Sequence, residues 1–239
     1  MKGLVVIPAY NEAPTIRGVL ERLRPVLPAE AEILVVDDGA KDATASEARA
    51  SGCARVVRLP CNLGYANALR TGLMYGLRGD YAWFAFMDAD GQHRPEDMAG
   101  LIRAFSGGGA DLIIGSRWQH QDIQKAAVPT GRRIGMVFFA WLTRKLTGRR
   151  LTDTTSGMKI MNRAVAGELL AHHFGDFHSE ILIYLHDRRY RLEEFPIVVH
   201  ERQAGSSMYS LRDAILYPWR NLILIAIFKL NSWLMGRVR

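Results

Sequence analysis

Short apolar runs, each stopped by a cluster of polar residues, constrain this chain more than any other feature. Leu4–Ile7, Ile33–Val36, Val56–Leu59, Trp83–Met87 and Leu112–Ile114 alternate with stretches of helical periodicity. That alternation is the pattern of a parallel sheet with crossover helices. Between the first two runs, Ile16, Val19, Leu20 and Leu23 recur at helical spacing, and Pro14 suits a first turn. Later helices are expected over residues 66–77, 95–105 and 132–146. Gly107–Gly109 reads as a loop, and no repeat, linker or low-complexity tract interrupts the pattern.

The polar clusters fall where these strands end, which is where open α/β sheets bind ligands. Strand one ends in PAYNE (Pro8, Ala9, Tyr10, Asn11, Glu12), strand two in DDG (Asp37, Asp38, Gly39) and strand three in NLG (Asn62–Gly64). Strand four ends in DADGQ (Asp88, Ala89, Asp90, Gly91, Gln92) and strand five in GSR (Gly115–Arg117). Neither the G-x-G-x-x-G dinucleotide fingerprint nor the G-x-x-x-x-G-K-[ST] phosphate loop follows strand one, so a Rossmann dehydrogenase and a P-loop enzyme are excluded.

Asp88 and Asp90 pose an electrostatic problem. Side chains on extended backbone alternate with period two, so the two carboxylates point the same way and repel. A cation between them, solvation or protonation must relieve this. The bland alternative is a solvated acidic turn. Lys plus Arg exceeds Asp plus Glu by 31 − 24 = +7, which favours an anionic partner: nucleic acid, a phosphorylated substrate or an acidic membrane surface. A nucleic-acid binder would leave the strand-end carboxylates without purpose. Cys53 and Cys61 have neither C-x-x-C spacing nor partner histidines, which argues against a zinc site or a disulfide framework and for a reducing, cytosolic location. The start, Met1-Lys2 running into an apolar strand, lacks a signal-peptide pattern. At 239 residues and 49% hydrophobic content, one large domain is expected.

PAYNE, VVDDG, NLG, MDADGQ and GSR, followed by DTTSGMK (Asp153–Lys159) and ERQAGSS (Glu201–Ser207), resemble in order the motifs of the family 2 glycosyltransferases. The branch they resemble most is that of the dolichol-phosphate mannosyltransferases and polyprenyl-phosphate sugar synthases. The resemblance implies a GT-A fold, a GDP- or UDP-sugar donor, Mg²⁺ or Mn²⁺, and inversion at the anomeric carbon. It places Pro8, Ala9, Tyr10, Asn11 and Glu12 along the nucleoside pocket with Asp37, Asp38, Gly64 and Ala89. Asp38 would accept from the base edge, although Pro8 ending a strand and Asp37 capping a turn are open alternatives. Ala40 stands where the family has Ser, and Met208 where it has Lys.

Asp88, Asp90 and Gln92 are the expected metal ligands, hard oxygen donors suited to a cation that stabilises charge on a departing diphosphate. His93 is expected to be a loop residue. Arg202 is expected on the donor diphosphate and Arg117, with Arg132 and Arg133, on an acceptor phosphate. Asp90, Asp153, Arg117 and Arg202 are the expected catalytic set. Asp153 would position metal, donor or acceptor, with a structural turn as the alternative. A hydroxyl acceptor needs a general base, whereas a polyprenyl phosphate with a second pKa of about 6 is already an anion. The hydroxyl-acceptor branch supplies its base in a Glu-Asp pair after strand five, and no such pair follows here. A hydroxyl on a lipid-linked glycan is the alternative acceptor.

Residues 213–234 read as a helix whose LILIAIF core (Leu222–Phe228) is apolar all round. It is far shorter than the roughly 20 residues a bilayer requires. Trp219, Trp233 and flanking cations suit an interfacial helix; a homodimer interface and a core helix are the alternatives. The expected organisation is a catalytic domain over residues 1–210 and a membrane-associating or oligomerising segment over 211–239, peripheral on the inner face of the membrane.

Overall fold

Among the described residues, seven strands form one sheet. The computed structural model describes residues 1–118, 130–172, 174–175, 177–200 and 219–230, with only the backbone of 130–134. In chain order the elements are β1 (Gly3–Ala9), α1 (Ile16–Leu23), β2 (Ala31–Asp37), α2 (Thr44–Ala50), β3 (Arg55–Arg58), α3 (Tyr65–Leu77) and β4 (Trp83–Phe86). They continue with α4 (Pro95–Ser106), β5 (Leu112–Ser116), α5 (Thr130–Thr147), β6 (Lys159–Asn162), α6 (Arg163–Ala171), α7 (Ser179–Asp187) and β7 (Leu192–Pro196). Residues 219–230 form a C-terminal helix.

The sheet order is β3-β2-β1-β4-β6-β5-β7, and the first four strands pair in parallel, as the apolar runs predict. β6 runs antiparallel between β4 and β5, and β7 pairs in parallel with β5. The carboxyl ends of β1 to β5 and β7 therefore share one edge with the amino end of β6.

Both faces of the sheet are covered, which is why its central strands are apolar on every residue. Leu4, Val6, Leu34, Val36, Phe84 and Phe86 pack on one face against α3, α6 and α7. Val5, Ile7, Ile33, Val35, Trp83 and Ala85 pack on the other against α1 and α4. Ile16, Val19, Leu20 and Leu23 of α1 are all buried, each contributing about 1.5–3 kcal/mol of transfer free energy.

The C-terminal helix is part of this packing. Ile225 joins Phe139 and Ile183 in a third cluster with Leu142, Leu146 and Leu222. Asn221 is fully buried, and Lys229 pairs with Asp187 at 2.7 Å. The helix is therefore not free-standing, as a purely interfacial segment would be. Its opposite face exposes Trp219, Ile223, Ile227 and Leu230 in one stripe, and Val137, Phe138 and Trp141 of α5 are exposed as well. Among the described residues, no helix is long and apolar enough to cross a membrane.

Candidate active site

The loops after β1, β2 and β3 are tied to one another by side chains that accept backbone N–H groups. Asn11, in the left-handed region at φ 55°, accepts from Lys41 N at 2.9 Å. Asp37 Oδ1 accepts from Ala40 N at 2.7 Å, and Asp42 Oδ2 from Ala13 N at 3.1 Å. The turn between them needs Gly39, at φ 67°, because a Cβ there would lie 2.4 Å from the Cys61 backbone. Asp38 spends both oxygens on the NLG loop, accepting from Leu63 N and Gly64 N at 2.8 Å each. A nucleoside base would have to share those oxygens, so Asp38 serves first as a loop anchor. Burial, with the neighbouring Asp37 charge, raises its carboxyl pKa despite these bonds.

Glu12 is buried, with its backbone N–H donating to Thr44 Oγ1 at 2.8 Å. The Thr15 hydroxyl lies 2.9 Å from both Glu12 Oε2 and the Ala89 carbonyl oxygen, donating to one at a time. Thr15 precedes α1 yet makes no side-chain cap there. Its hydroxyl instead joins the PAYNE and DADGQ motifs. Pro8 and Ala9 finish β1 inside the core, and Tyr10 is half-buried beside them.

In the DADGQ segment the strand stops at Phe86 and the backbone turns through Gly91 at φ 75°. The extended geometry assumed for Asp88 through Gln92 therefore does not continue. Asp88 Oδ1 accepts from the Tyr65 hydroxyl at 3.0 Å, and Oδ2 lies 3.3 Å from His93 Nε2. His93 is buried at 6% exposure and bridges to Val199, so it is a structural partner of Asp88 and not a plain loop residue. Burial alone would raise the Asp88 carboxyl, but His93, Tyr65 and the Lys159 charge outweigh it and hold the group at about 2.

Asp90 is buried and accepts from Gln92 N at 3.0 Å. Gln92 Nε2 donates to the His200 carbonyl at 3.0 Å, and His200 N to the Gln92 carbonyl at 2.9 Å. Gln92 thus clasps the segment that leads into ERQAGSS. Among the described residues, no three His, Cys, Asp or Glu side chains converge as a metal cluster. The donor set still fits a hard divalent ion: two carboxylates, one held ionised, with a donor diphosphate able to complete an oxygen shell.

The DTTSGMK motif lies directly behind Asp88. A Cβ on Gly157 would sit 2.2 Å from Asp88 Oδ2, so any larger residue there would have to displace that carboxylate. Lys159 is 1% exposed, donates to the Ser156 carbonyl and lies in the field of Asp88, Asp153 and Glu180. Burial pushes its ammonium pKa down to about 8 against that attraction. The chain therefore supplies a cation of its own to the acidic centre. Burial likewise holds His178 neutral, at about 3.

Asp153 takes a bidentate grip on Arg117, with Nε to Oδ2 at 2.6 Å and Nη2 to Oδ1 at 2.8 Å, and the Arg117 backbone N–H adds 3.1 Å. Burial favours the neutral acid, but the guanidinium and its hydrogen bonds prevail and lower the Asp153 pKa.

Arg132 and Arg133 lie in the first turn of α5, where only the backbone is described. Arg202, Ser207, Met208 and Trp233 fall outside the described residues. Sequence reasoning missed Thr15, Tyr65, Gly157, Lys159 and Glu194. Tyr65 adjoins the NLG motif and Gly157 and Lys159 lie inside DTTSGMK, which was the available signal; Glu194 lies in a strand of mixed polarity and offered none.

The sequence profile described as glycosyl transferase family 2 matches residues 4–170. The undecaprenyl-phosphate mannosyltransferase of Micrococcus luteus is 31% identical over 218 residues, covering 88% of each chain. The polyprenol monophosphomannose synthase of Mycolicibacterium smegmatis is 30% identical, covering 99% of this chain and 89% of its own. Glucosyl-3-phosphoglycerate synthase of Mycobacterium tuberculosis, solved with Mn²⁺, uridine diphosphate and phosphoglyceric acid, superposes with a TM-score of 0.70 at 21% identity, covering 95% of this chain and 78% of that one. Strand-end motifs, sheet order and sequence likeness thus agree that the chain belongs to glycosyl transferase family 2, as an inverting, nucleotide-sugar-dependent glycosyltransferase of GT-A fold.

Proposed function

We propose that this enzyme transfers one sugar from a nucleoside diphosphate to a polyprenyl phosphate at a membrane surface, with a divalent cation held by Asp88 and Asp90. The observation that carries the acceptor reading is the state of Asp153. It is the carboxylate nearest in role to a general base, yet it is fully buried, locked onto Arg117 and held below the ordinary carboxylate range. Such a group does not take a proton from a hydroxyl at neutral pH. A phosphate acceptor needs no base, and Arg117, 17% exposed in its side chain, suits an oxyanion. The M. luteus and M. smegmatis relatives, named for undecaprenyl phosphate and polyprenol, support the same class.

When bound, the cation would supply Lewis-acid stabilisation of charge on the departing diphosphate. The PAYNE, DDG and NLG loops would hold the nucleoside; Arg202 and the DADGQ turn, including Ala89, would meet the diphosphate. The exposed apolar stripe of the C-terminal helix, with Val137, Phe138 and Trp141, would rest against lipid where the acceptor tail is embedded. Within the segment 211–239, the helix of residues 219–230 then makes the membrane contact while remaining docked on α5 and α7.

The test is a donor panel offered with undecaprenyl or dolichyl phosphate in anionic liposomes, using the full chain and an Ile223→Glu, Ile227→Glu variant. The expected product is a sugar phosphodiester, with the variant folded, active on a short-chain phosphate and weak on the liposome-borne one. Sugar found on a hydroxyl, or transfer only to a small soluble phosphate, would replace the acceptor assignment.

A further inference from the structure

Glu194, on β7, holds the loop that carries Asp153. Its Oε1 accepts from Thr152 N and Asp153 N, both at 2.7 Å, and its Oε2 accepts from the Thr152 hydroxyl at 2.9 Å. The Thr152 hydroxyl lies 2.8 Å from Ser116 Oγ, at the end of β5. Arg117 follows Ser116 directly. One carboxylate thus grips two successive amides on one side of Asp153, while β7 pairs in register with β5, setting Glu194 beside Ile114 and Pro196 beside Ser116. The strand that carries Glu194 and the strand that delivers Arg117 are neighbours, and the Asp153 loop is fastened to both.

We infer that Glu194 is a positioning residue for the acceptor site, fixing the Asp153 loop so that Asp153 in turn sets the direction of the Arg117 guanidinium. Among the described residues, Arg117 has four hydrogen-bonded anchors, three on Asp153 and one on the Thr155 hydroxyl at 2.8 Å. All four belong to the segment Glu194 holds. Two N–H donors on one carboxylate oxygen are charge-assisted bonds, and their loss leaves two backbone donors to find other partners. The loop would then relax, and the guanidinium with it. A displacement of about 1 Å at such a group is enough to cost a large factor in turnover.

This inference rests on the reading of Arg117 as an acceptor-phosphate ligand, so its test has one arm that depends on transfer and one that does not. Steady-state kinetics with donor and polyprenyl phosphate varied in turn compare wild type, Glu194→Ala and Glu194→Gln; heteronuclear NMR follows the Arg117 Nε–H, assigned by its loss in Arg117→Lys. Glu194→Ala is expected to raise the acceptor KM about tenfold or more, leave the donor KM within about twofold, and shift the Nε–H signal toward that of a solvent-exposed arginine. Glu194→Gln keeps a carbonyl oxygen for the two amides and is expected to restore most of both. In an Arg117→Ala background, Glu194→Ala should add no further loss, because the residue acts through the one already removed. Equal changes in both KM values, full additivity with Arg117→Ala, or an unmoved Nε–H signal would overturn the inference. If Glu194→Ala does not fold, Glu194→Asp, one methylene shorter, replaces it with the same expected readouts. A wild type that uses no phosphate acceptor overturns the proposed function alone, and the Arg117 signal then decides the positioning.

Discussion

Asp38 and Asp153 are both buried at 3% exposure or less beside strand ends, and the molecule treats them in opposite ways. Asp38 is satisfied by two backbone amides, and burial still raises its pKa. Asp153 is satisfied by an arginine, and the cation lowers its pKa in spite of burial. The contrast extends to the regions around them. On the β1 to β3 side, Asn11, Asp37, Asp38 and Asp42 stitch loop to loop through main-chain N–H groups. That yields a stiff template suited to a nucleoside of fixed shape. On the β5 to β7 side, main-chain anchoring by Glu194 is joined by an ionic link between Arg117 and Asp153, and Lys159 lies in the field of three carboxylates. That side stores paired charge where a phosphate would arrive.

The harshest test of the boundary between the regions is Asp90→Ala, since Asp90 stands where they meet. Its removal, or chelation of divalent cations, should lower kcat by about a thousandfold or more with the melting temperature little changed. Restoration by Mn²⁺ or Mg²⁺ in the wild type completes the measurement, and full-rate turnover in chelator would break the metal assignment.

Denaturant titrations of Asp153→Ala and Asp38→Ala sharpen the contrast itself. Asp153→Ala strands a mostly buried guanidinium and should cost about 3 kcal/mol; Asp38→Ala orphans two amides and should cost about 1–3 kcal/mol. Their pH dependences should differ in sign. The Asp153 pKa is lowered on folding, so its stabilisation is present above the unfolded value and is lost as pH falls through the folded one. The Asp38 pKa is raised, so its ionisation costs stability above the folded value, and acidification removes that cost. Parallel acid titrations of the two variants would erase the distinction.

The mildest test crosses from one region into the other. Gly157→Ala adds a single carbon against Asp88 Oδ2, which should push the carboxylate off its Tyr65 and His93 contacts. Turnover should fall about a hundredfold while nucleotide binding without metal is retained. Unchanged kinetics would show that Asp88 moves aside freely and that the two motifs are not mutually fitted.

Most of the β1 to β4 side was legible in the sequence because its strands are covered on both faces and its loops end in distinctive polar clusters. α2 was missed because its buried face consists only of Thr44, Ala45 and Ala48, which give no apolar periodicity. β6 was missed because KIMN begins with a lysine, and only tertiary context buries that ammonium. β7 was missed because LEEFP mixes charge with a terminal proline, as a strand with one unpaired side can. The site followed the same division. Motif positions were readable, but the Thr15, His93 and Glu194 contacts join residues whose proximity depends on the folded chain. The C-terminal helix was read as apolar all round, whereas packing on α5 and α7 gives its faces different environments.

The two margins of the sheet also bear on how the protein remains dispersed at the concentrations a cell requires. In the described sheet, β3 closes one margin with four residues, Arg55 and Arg58 at its ends, and β7 closes the other with Glu193, Glu194 and Pro196. Brevity on one side and a missing amide on the other leave little ladder to extend. Edge-to-edge growth into aggregates is thereby discouraged, and Pro196 sets that limit on the same strand whose Glu194 steadies the Asp153 loop.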